Sequence, residues 1–288
     1  MKEVYPVITR LEDEGFPVAA VCQALGVSRA GYYAHTRREA GPREQDDARL
    51  RPLVRQIFWE HKRRYGARRI AAELAARGEA CGPGRVARLL KQLGLQAIQP
   101  KSFRPRTTQS RHPLGYSPNL LLEAPPPCGI NQVWLGDITF VPLAGGRFAY
   151  LALLMDLYSR RIVGWELAEH MAEALVLAAL RQAIAARQPG PGLIHHTDRG
   201  GQYAGGAYRQ VLGRARMRQS MSRADNCYDN AFMESCFGTI KTELEMEVYA
   251  NLQVAYEEIH GYLGYYDRKR RHSSLDYLTP WEFELSQK

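Results

Sequence analysis

From residue 18 to about residue 95 the apolar positions recur every three or four residues, the period of a helix with one buried face. Val18, Val21, Cys22 and Leu25 carry the pattern first, and Gly26 breaks it. Ser28 is placed to cap a second helix carrying Arg29, Tyr32, Tyr33 and His35. Helix, short glycine-containing turn, helix is the helix-turn-helix pattern, whose second helix reads base edges with residues near its start. Arg29 and Tyr32 are the candidates; a plain helical hairpin is the structural alternative. Residues 39–46 (EAGPREQD) read as a linker. Another pair of amphipathic helices follows, one starting at Arg68 and ending near Gly78, one running from Arg85 to Gly94, with CGPG between them. The cluster Lys62, Arg63, Arg64, Arg68 and Arg69 is dense enough to suit DNA phosphates, although an exposed helix face is the simpler account of any single one of them.

Periodicity fails from residue 100 to 127, a basic, proline-rich stretch expected to be an extended linker that tracks a DNA backbone. After Asn131 the texture becomes that of short strands: 133–142, 148–155 and 162–167, separated by the turns AGG and YSRR, as in an antiparallel meander. An Ala/Leu-rich helix over 171–187, a strand over 193–197, a helix over 203–213, a strand over 219–222 and a long helix over 230–249 complete a mixed α/β unit. The expected organisation is a helix-turn-helix at 1–40, a second helix-turn-helix-like DNA-binding unit at 47–98, the basic linker at 99–129, an α/β core at 130–250 and a basic helical tail at 251–288.

Charge sharpens this picture. Residues 1–130 hold 22 Lys and Arg against 12 Asp and Glu, a net of +10; residues 131–288 hold 17 against 18, a net of −1. A basic first half on a near-neutral second half suggests a polyanion-gripping region joined to something else. No run of eighteen apolar residues suggests a membrane span, and no secretory leader is visible. The five scattered cysteines contain no C-x-x-C pair, which argues against a disulfide framework or a zinc ribbon and for a reducing, cytoplasmic setting.

The chemistry-bearing positions lie in the second half. Asp137 sits inside the apolar strand WLGDITFVP, where a charge is costly unless it is paired or binds a metal. Asp198 closes the strand HHTD just before the glycine-rich RGGQYAGG, at a strand end where ligands of α/β sheets collect. Glu234, Gly238 and Lys241 form a stripe beside the apolar stripe Met233, Phe237, Ile240 and Leu244. Three such carboxylates can hold the pair of hard divalent cations that serves phosphodiester chemistry, with Lys241 near a DNA phosphate. Asp156, Asp225 and Asp229 compete as acids; Asp156 has a turn cap as its structural alternative and Asp229 a helix N-cap. His195 and His196, on opposite faces of their strand, read as structural, as do Trp134 and Trp165. The run Arg268–Arg271, with Arg270 and Arg271 foremost, reads as a further phosphate contact.

Joint occurrence of the blocks is more specific. NQVWLGDITFVP, HHTDRGGQYAG and SMSRADNCYDNAFMESCFGTIKTE, in that order, resemble the OrfB-type transposases of the bacterial insertion-sequence-three family, part of the wider DDE group that includes retroviral integrases. From Asp198 to Glu234 is 234 − 198 = 36 positions, the family's spacing of 35 intervening residues. YGARRIAAELAARGEACGPGRVARLLKQLGL resembles the family's second helix-turn-helix, and YYDRKRRHSSLDYLTP its C-terminal signature. The resemblance implies a ribonuclease H-like core with a mixed five-stranded sheet, Asp137, Asp198 and Glu234 as catalytic metal ligands, two Mg²⁺ or Mn²⁺ ions, and terminal inverted repeats and target DNA as substrates. It also implies multimeric action on two transposon ends and an upstream OrfA product as partner or fusion. The implied reaction is hydrolysis at a transposon end, freeing a 3′-hydroxyl that then attacks a second phosphodiester. The rival readings are a ribonuclease H-like metal nuclease that does not join DNA, and an inert DNA-binding regulator.

Overall fold

The computed structural model describes residues 4–37, 41–99, 115–122, 124–223 and 231–287. Its first half is helical. α1 (Tyr5–Asp13), α2 (Val18–Ala24) and α3 (Arg29–Thr36) bury Ile8, Val21, Cys22 and Tyr32 between them. Gly26, at φ +66°, supplies the left-handed residue the turn needs, and the Ser28 hydroxyl accepts the Gly31 amide, the expected cap. A second three-helix unit follows: α4 (Pro42–Glu60), α5 (Ala67–Ala76) and α6 (Pro83–Gln92) around Leu50, Ile57, Leu74 and Leu89. Residues 42–46, expected as linker, are the first turn of α4; residues 38–40 lie outside the described ones. Pro42 suits the first helical position, where its missing N–H has no helical partner to lose. Asp47, buried one turn on, fixes that end by accepting from Arg85 (2.7 Å) and Arg88 (2.6 Å).

The second half is a five-stranded sheet with helices on both faces, the mixed architecture the sequence resemblance implied. β1 (Val133–Leu143), β2 (Arg147–Asp156) and β3 (Ile162–Ala168) form an antiparallel meander. The chain then crosses through α7 (Glu173–Arg187) to β4 (Ile194–Thr197), which lies parallel to β1, and through α8 (Gly201–Ala204) and α9 (Gly206–Arg214) to β5 (Arg218–Met221). The order across the sheet is β3-β2-β1-β4-β5. Alternation along β1 sorts its side chains: Val133, Leu135, Val141 and Leu143 face one core, Trp134 the other. The first core is closed by α10 (Ala231–Glu243) and α11 (Leu252–Arg268), the second by α7, α8 and α9. Gly164 on β3 lets α7 approach, since a Cβ there would stand 2.3 Å from the Ala179 carbonyl oxygen.

Three expected boundaries move. The helix expected over 203–213 is broken at Gly205, and the Glu173 carboxylate accepts the Tyr208 amide (2.8 Å) near the start of the new helix α9. The helix expected to run to residue 249 stops at Glu243, because Tyr249 instead pairs with the end of β1 through Pro142 and Ala144. Of the expected basic linker, the described stretch 115–122 lies along β5: the Met221 amide donates to the Pro118 carbonyl and the Leu120 amide to the Ser220 hydroxyl. The tail is part of the core rather than an appendage. α11 buries Ala255, Ile259, Tyr262 and Tyr266, and α12 (Pro280–Ser286) is fastened by Glu284 to Arg161 (2.5 Å) and Arg187 (2.7 Å).

Candidate catalytic site

The parallel ladder between β1 and β4 ends at the pair Gly136 and Thr197. Asp137 and Asp198 are the next residues on the two strands, so they emerge side by side, about 5 Å apart between backbones. Parallel partners point to the same face, and Leu135 places that face toward the core closed by α10. Both aspartates are half-buried. The Asp198 carboxylate accepts the Gly200 amide (2.9 Å), and that of Asp137 the Ile138 amide (2.8 Å). Tyr203, fully buried behind them, has its phenol pushed well up by burial first, then by Asp137, Tyr208 and Asp198. Gly136 keeps β1 and β4 in register beneath them, because a Cβ there would stand 2.8 Å from the His195 ring.

Across the face, α10 carries Glu234 in its first turn and Lys241 two turns on. Glu234 is exposed and Lys241 half-buried, with Gly238 between them opening onto free space. Burial holds the Lys241 ammonium below its ordinary range, while Asp137 pulls it back up, which puts that end of α10 over β1. The chemistry of Asp137 and Asp198 suits a hard divalent cation: both offer carboxylate oxygens, and two like charges at this spacing favour a cation between them. Glu234 is not gathered with them. Among the described residues no group of three His, Cys, Asp or Glu side chains stands close enough to hold a metal.

The competing acids separate from this locality or fall outside it. Asp156, fully buried, accepts the amides of Asn131, Tyr158 and Ser159 and organises the turn into β3. Asp225 and Asp229 lie outside the described residues. His196, on the Asp198 face, meets Ser220 (2.8 Å), and His195, on the other, meets Tyr208 (2.7 Å); burial drives the His195 pKa down to about 3. Trp134 is core, and Trp165 packs against Tyr256 and His260.

Comparison with known proteins places the chain. Residues 129–227 and 215–280 match models of the integrase core domain, and residues 44–103 match an HTH-like domain. The transposase InsF of insertion sequence IS3A from Escherichia coli is 36% identical over 93% of this chain and 94% of its own length. The transposase of IS904 from Lactococcus lactis is 39% identical over 82% of the chain and 93% of its own length. This chain belongs to the IS3 family of transposases. A 31 kDa protein of IS600 from Shigella sonnei is similar too, 41% identical over 91% of the transposase and 97% of its own length. The catalytic core of the HTLV-2 integrase, solved in complex with magnesium, aligns with 54% of the transposase at 17% identity and a TM-score of 0.44.

The expected DNA contacts of the transposase divide sharply. Arg29, Arg63 and Arg68 are exposed. Tyr32 is not available to bases: it is 1% exposed, and its hydroxyl donates to Glu12 (2.5 Å) beneath α1. Its place on α3 faces the helix it packs against, not the groove. Arg270 is likewise buried, with its guanidinium on Glu243 at 2.9 Å. Arg69 meets the same carboxylate at 3.1 Å, and Arg64 donates to the Glu243 carbonyl (2.9 Å) while lying over the rings of Tyr262 and Tyr265. Arg271 pairs with Glu73 at 2.5 Å. These four arginines join the second helical unit to α10 and the tail instead of facing DNA. A further group of arginines that sequence reasoning did not single out, Arg199, Arg209, Arg214, Arg216, Arg218 and Arg223, lies between Asp198 and the end of β5. The available signal was that residues 199–223 contain no acid at all.

Proposed function

We propose that this transposase cleaves the 3′ ends of its insertion sequence and joins them to a second DNA site, with Asp137, Asp198 and Glu234 as the carboxylates that hold divalent metal. The observation that supports the reading is the end of the β1–β4 ladder, which sets two aspartates abreast on the face that α10 covers with Glu234 and Lys241. Magnesium or manganese ions, held by those carboxylates, would neutralise the scissile phosphate and activate the attacking oxygen. Glu234 would complete the site by moving from its exposed place in the first turn of α10 toward the strands. Lys241 would direct its ammonium at a phosphate running along the same helix face, where Gly238 leaves room for a backbone. Tyr203 and the buried histidine pair keep the underside of the site dry and rigid. The helical units of residues 1–40 and 47–98 would grip terminal inverted repeats, two copies would act together on two ends, and an OrfA product would supply further DNA contacts.

The test is a magnesium-dependent strand-transfer assay on the native element's ends. Glu234→Gln and Asp198→Asn are each expected to lower joining by at least about 100-fold, the order found when one preorganised electrostatic group is removed from an active site. Equal joining by wild type and Glu234→Gln would remove Glu234 from the mechanism. Cut ends with no joined product would make the protein a nuclease, and end binding indifferent to metal, with no cutting, would make it a regulator.

A further inference from the structure

The catalytic half is nearly neutral only on average. Residues 199–223 hold six arginines and no acid, whereas the rest of residues 131–288 hold 11 Lys and Arg against 18 Asp and Glu. These arginines cluster at the β5 end of the sheet, on α9, on β5 and in the turns beside them. Arg209 and Arg214 lie on α9, Arg216 in the turn that follows, Arg218 at the start of β5 and Arg223 just beyond its end. Those five are exposed. Among the described residues no carboxylate pairs with Arg214, Arg216 or Arg218.

One end of the row reaches the catalytic locality. The Ser222 amide donates to the Thr197 carbonyl, and Arg199, the residue after Asp198, donates through Nε to the Ser222 carbonyl (2.8 Å). From Arg218 to Arg223, extended chain spans about 16 Å, the axial length of about five nucleotides. β5 is an edge strand, and such an edge would ordinarily offer its backbone to another strand. Here residues 115–122 cover it: Ser117 donates to Gln219, Met221 donates to Pro118, and the Tyr116 ring lies under the Arg199 guanidinium at 4.7 Å. Arg218 and Arg223 stand exposed at the two ends of that covered edge.

We propose that this arginine row is a DNA-backbone track on the catalytic core, leading duplex phosphates away from Asp198. The proposal builds on the reading of the chain as a DNA-joining enzyme, and its chemistry fits either of two duplexes, the flank of the element's end or the target. The test uses the full chain and a 30-base-pair duplex of arbitrary sequence, followed by fluorescence anisotropy between 50 and 200 mM salt. Loss of three phosphate contacts makes the slope of log K against log salt shallower by about 2.7. The R214A/R216A/R218A variant is therefore expected to lose that much slope and at least about 10-fold in affinity at 0.1 M salt, with an unchanged melting temperature. R214K/R216K/R218K is expected to keep the slope, since a phosphate contact of this kind needs the charge. An unchanged slope in the alanine variant, or an equal loss in the lysine variant, overturns the track.

Neither readout requires catalysis, so an inert catalytic triad would leave the binding result standing. Conversely, normal joining with an unchanged slope would refute the track alone. Joining lost with end cleavage intact assigns the row to target DNA; both lost together assign it to the element's flank.

Discussion

Two arginine-rich regions of this chain look alike as sequence and are used in opposite ways. KRRYGARR and RKRR are the densest basic runs, yet Arg64, Arg69, Arg270 and Arg271 are engaged by Glu243 and Glu73 at the seam between the second helical unit and the tail. The sparser arginines at 214, 216 and 218 stand exposed at the end of α9, in the turn after it and at the start of the edge strand β5. Local density of charge therefore does not report availability. What decides is whether the fold brings a carboxylate from elsewhere in the chain opposite the arginine. A buried pair is worth little net, because desolvation offsets attraction, but breaking it leaves one charge stranded. An exposed arginine contributes almost nothing to stability and keeps its full charge for a polyanion.

The sharpest way to break this contrast is Glu243→Ala. It would strand Arg69 and the buried Arg270 and remove the acceptor of Tyr262, for an expected loss of about 3–5 kcal/mol, read by urea denaturation. A loss under about 1 kcal/mol would put the seam arginines in the same class as the edge. Next in size is Arg271→Ala, which leaves the Glu73 carboxylate short of its nearest donor and should cost about 1–3 kcal/mol in the same measurement.

Acid should loosen the seam in particular. His61 stacks on Tyr65 and meets the Tyr265 hydroxyl at 3.0 Å, and burial lowers its pKa to about 4. The unfolded chain takes up a proton near pH 6.5 and the folded one only near 4, so stability contributed by neutral His61 is whole above 6.5 and is lost as pH falls toward 4. Melting curves of wild type and His61→Gln should converge over that window; parallel curves would show that His61 does not couple the seam to pH. The smallest effect belongs to the edge, where R214A, R216A and R218A should each shift stability by less than about 0.5 kcal/mol. A larger shift would mean that these side chains are part of the fold after all.

Much of the fold was legible because it is written locally. Alternation named β1 to β3, and Ser28 after Gly26 named the start of α3. The spacing of three acids with their flanks named the candidate site, and β1–β4 pairing accounts for two of them. The failures have a common physical origin in partners far along the chain. Nothing near Tyr32 says that α1 covers it, and nothing near Arg270 reveals Glu243, 27 residues earlier, which also binds Arg69 from 174 residues away. Tyr249 pairs with β1 at the cost of the last turns of an otherwise continuous helix. The edge arginines were readable but were averaged away when charge was summed over the whole half of the chain.

A stiff rod gripped at one end carries motion to the other as far as the packing along it yields. α10 has such an anchor in Glu243, gripped by the second helical unit and the tail, and nine residues away, about 13 Å along the axis, it carries Glu234. A tilt of 5° at the grip swings the far end by about 1 Å, twice the tolerance of about 0.5 Å within which catalytic groups must be held. Rocking of the helical unit on its seam would therefore reach Glu234 along α10 only as far as the packing of Met233, Phe237 and Ile240 on the sheet gives way.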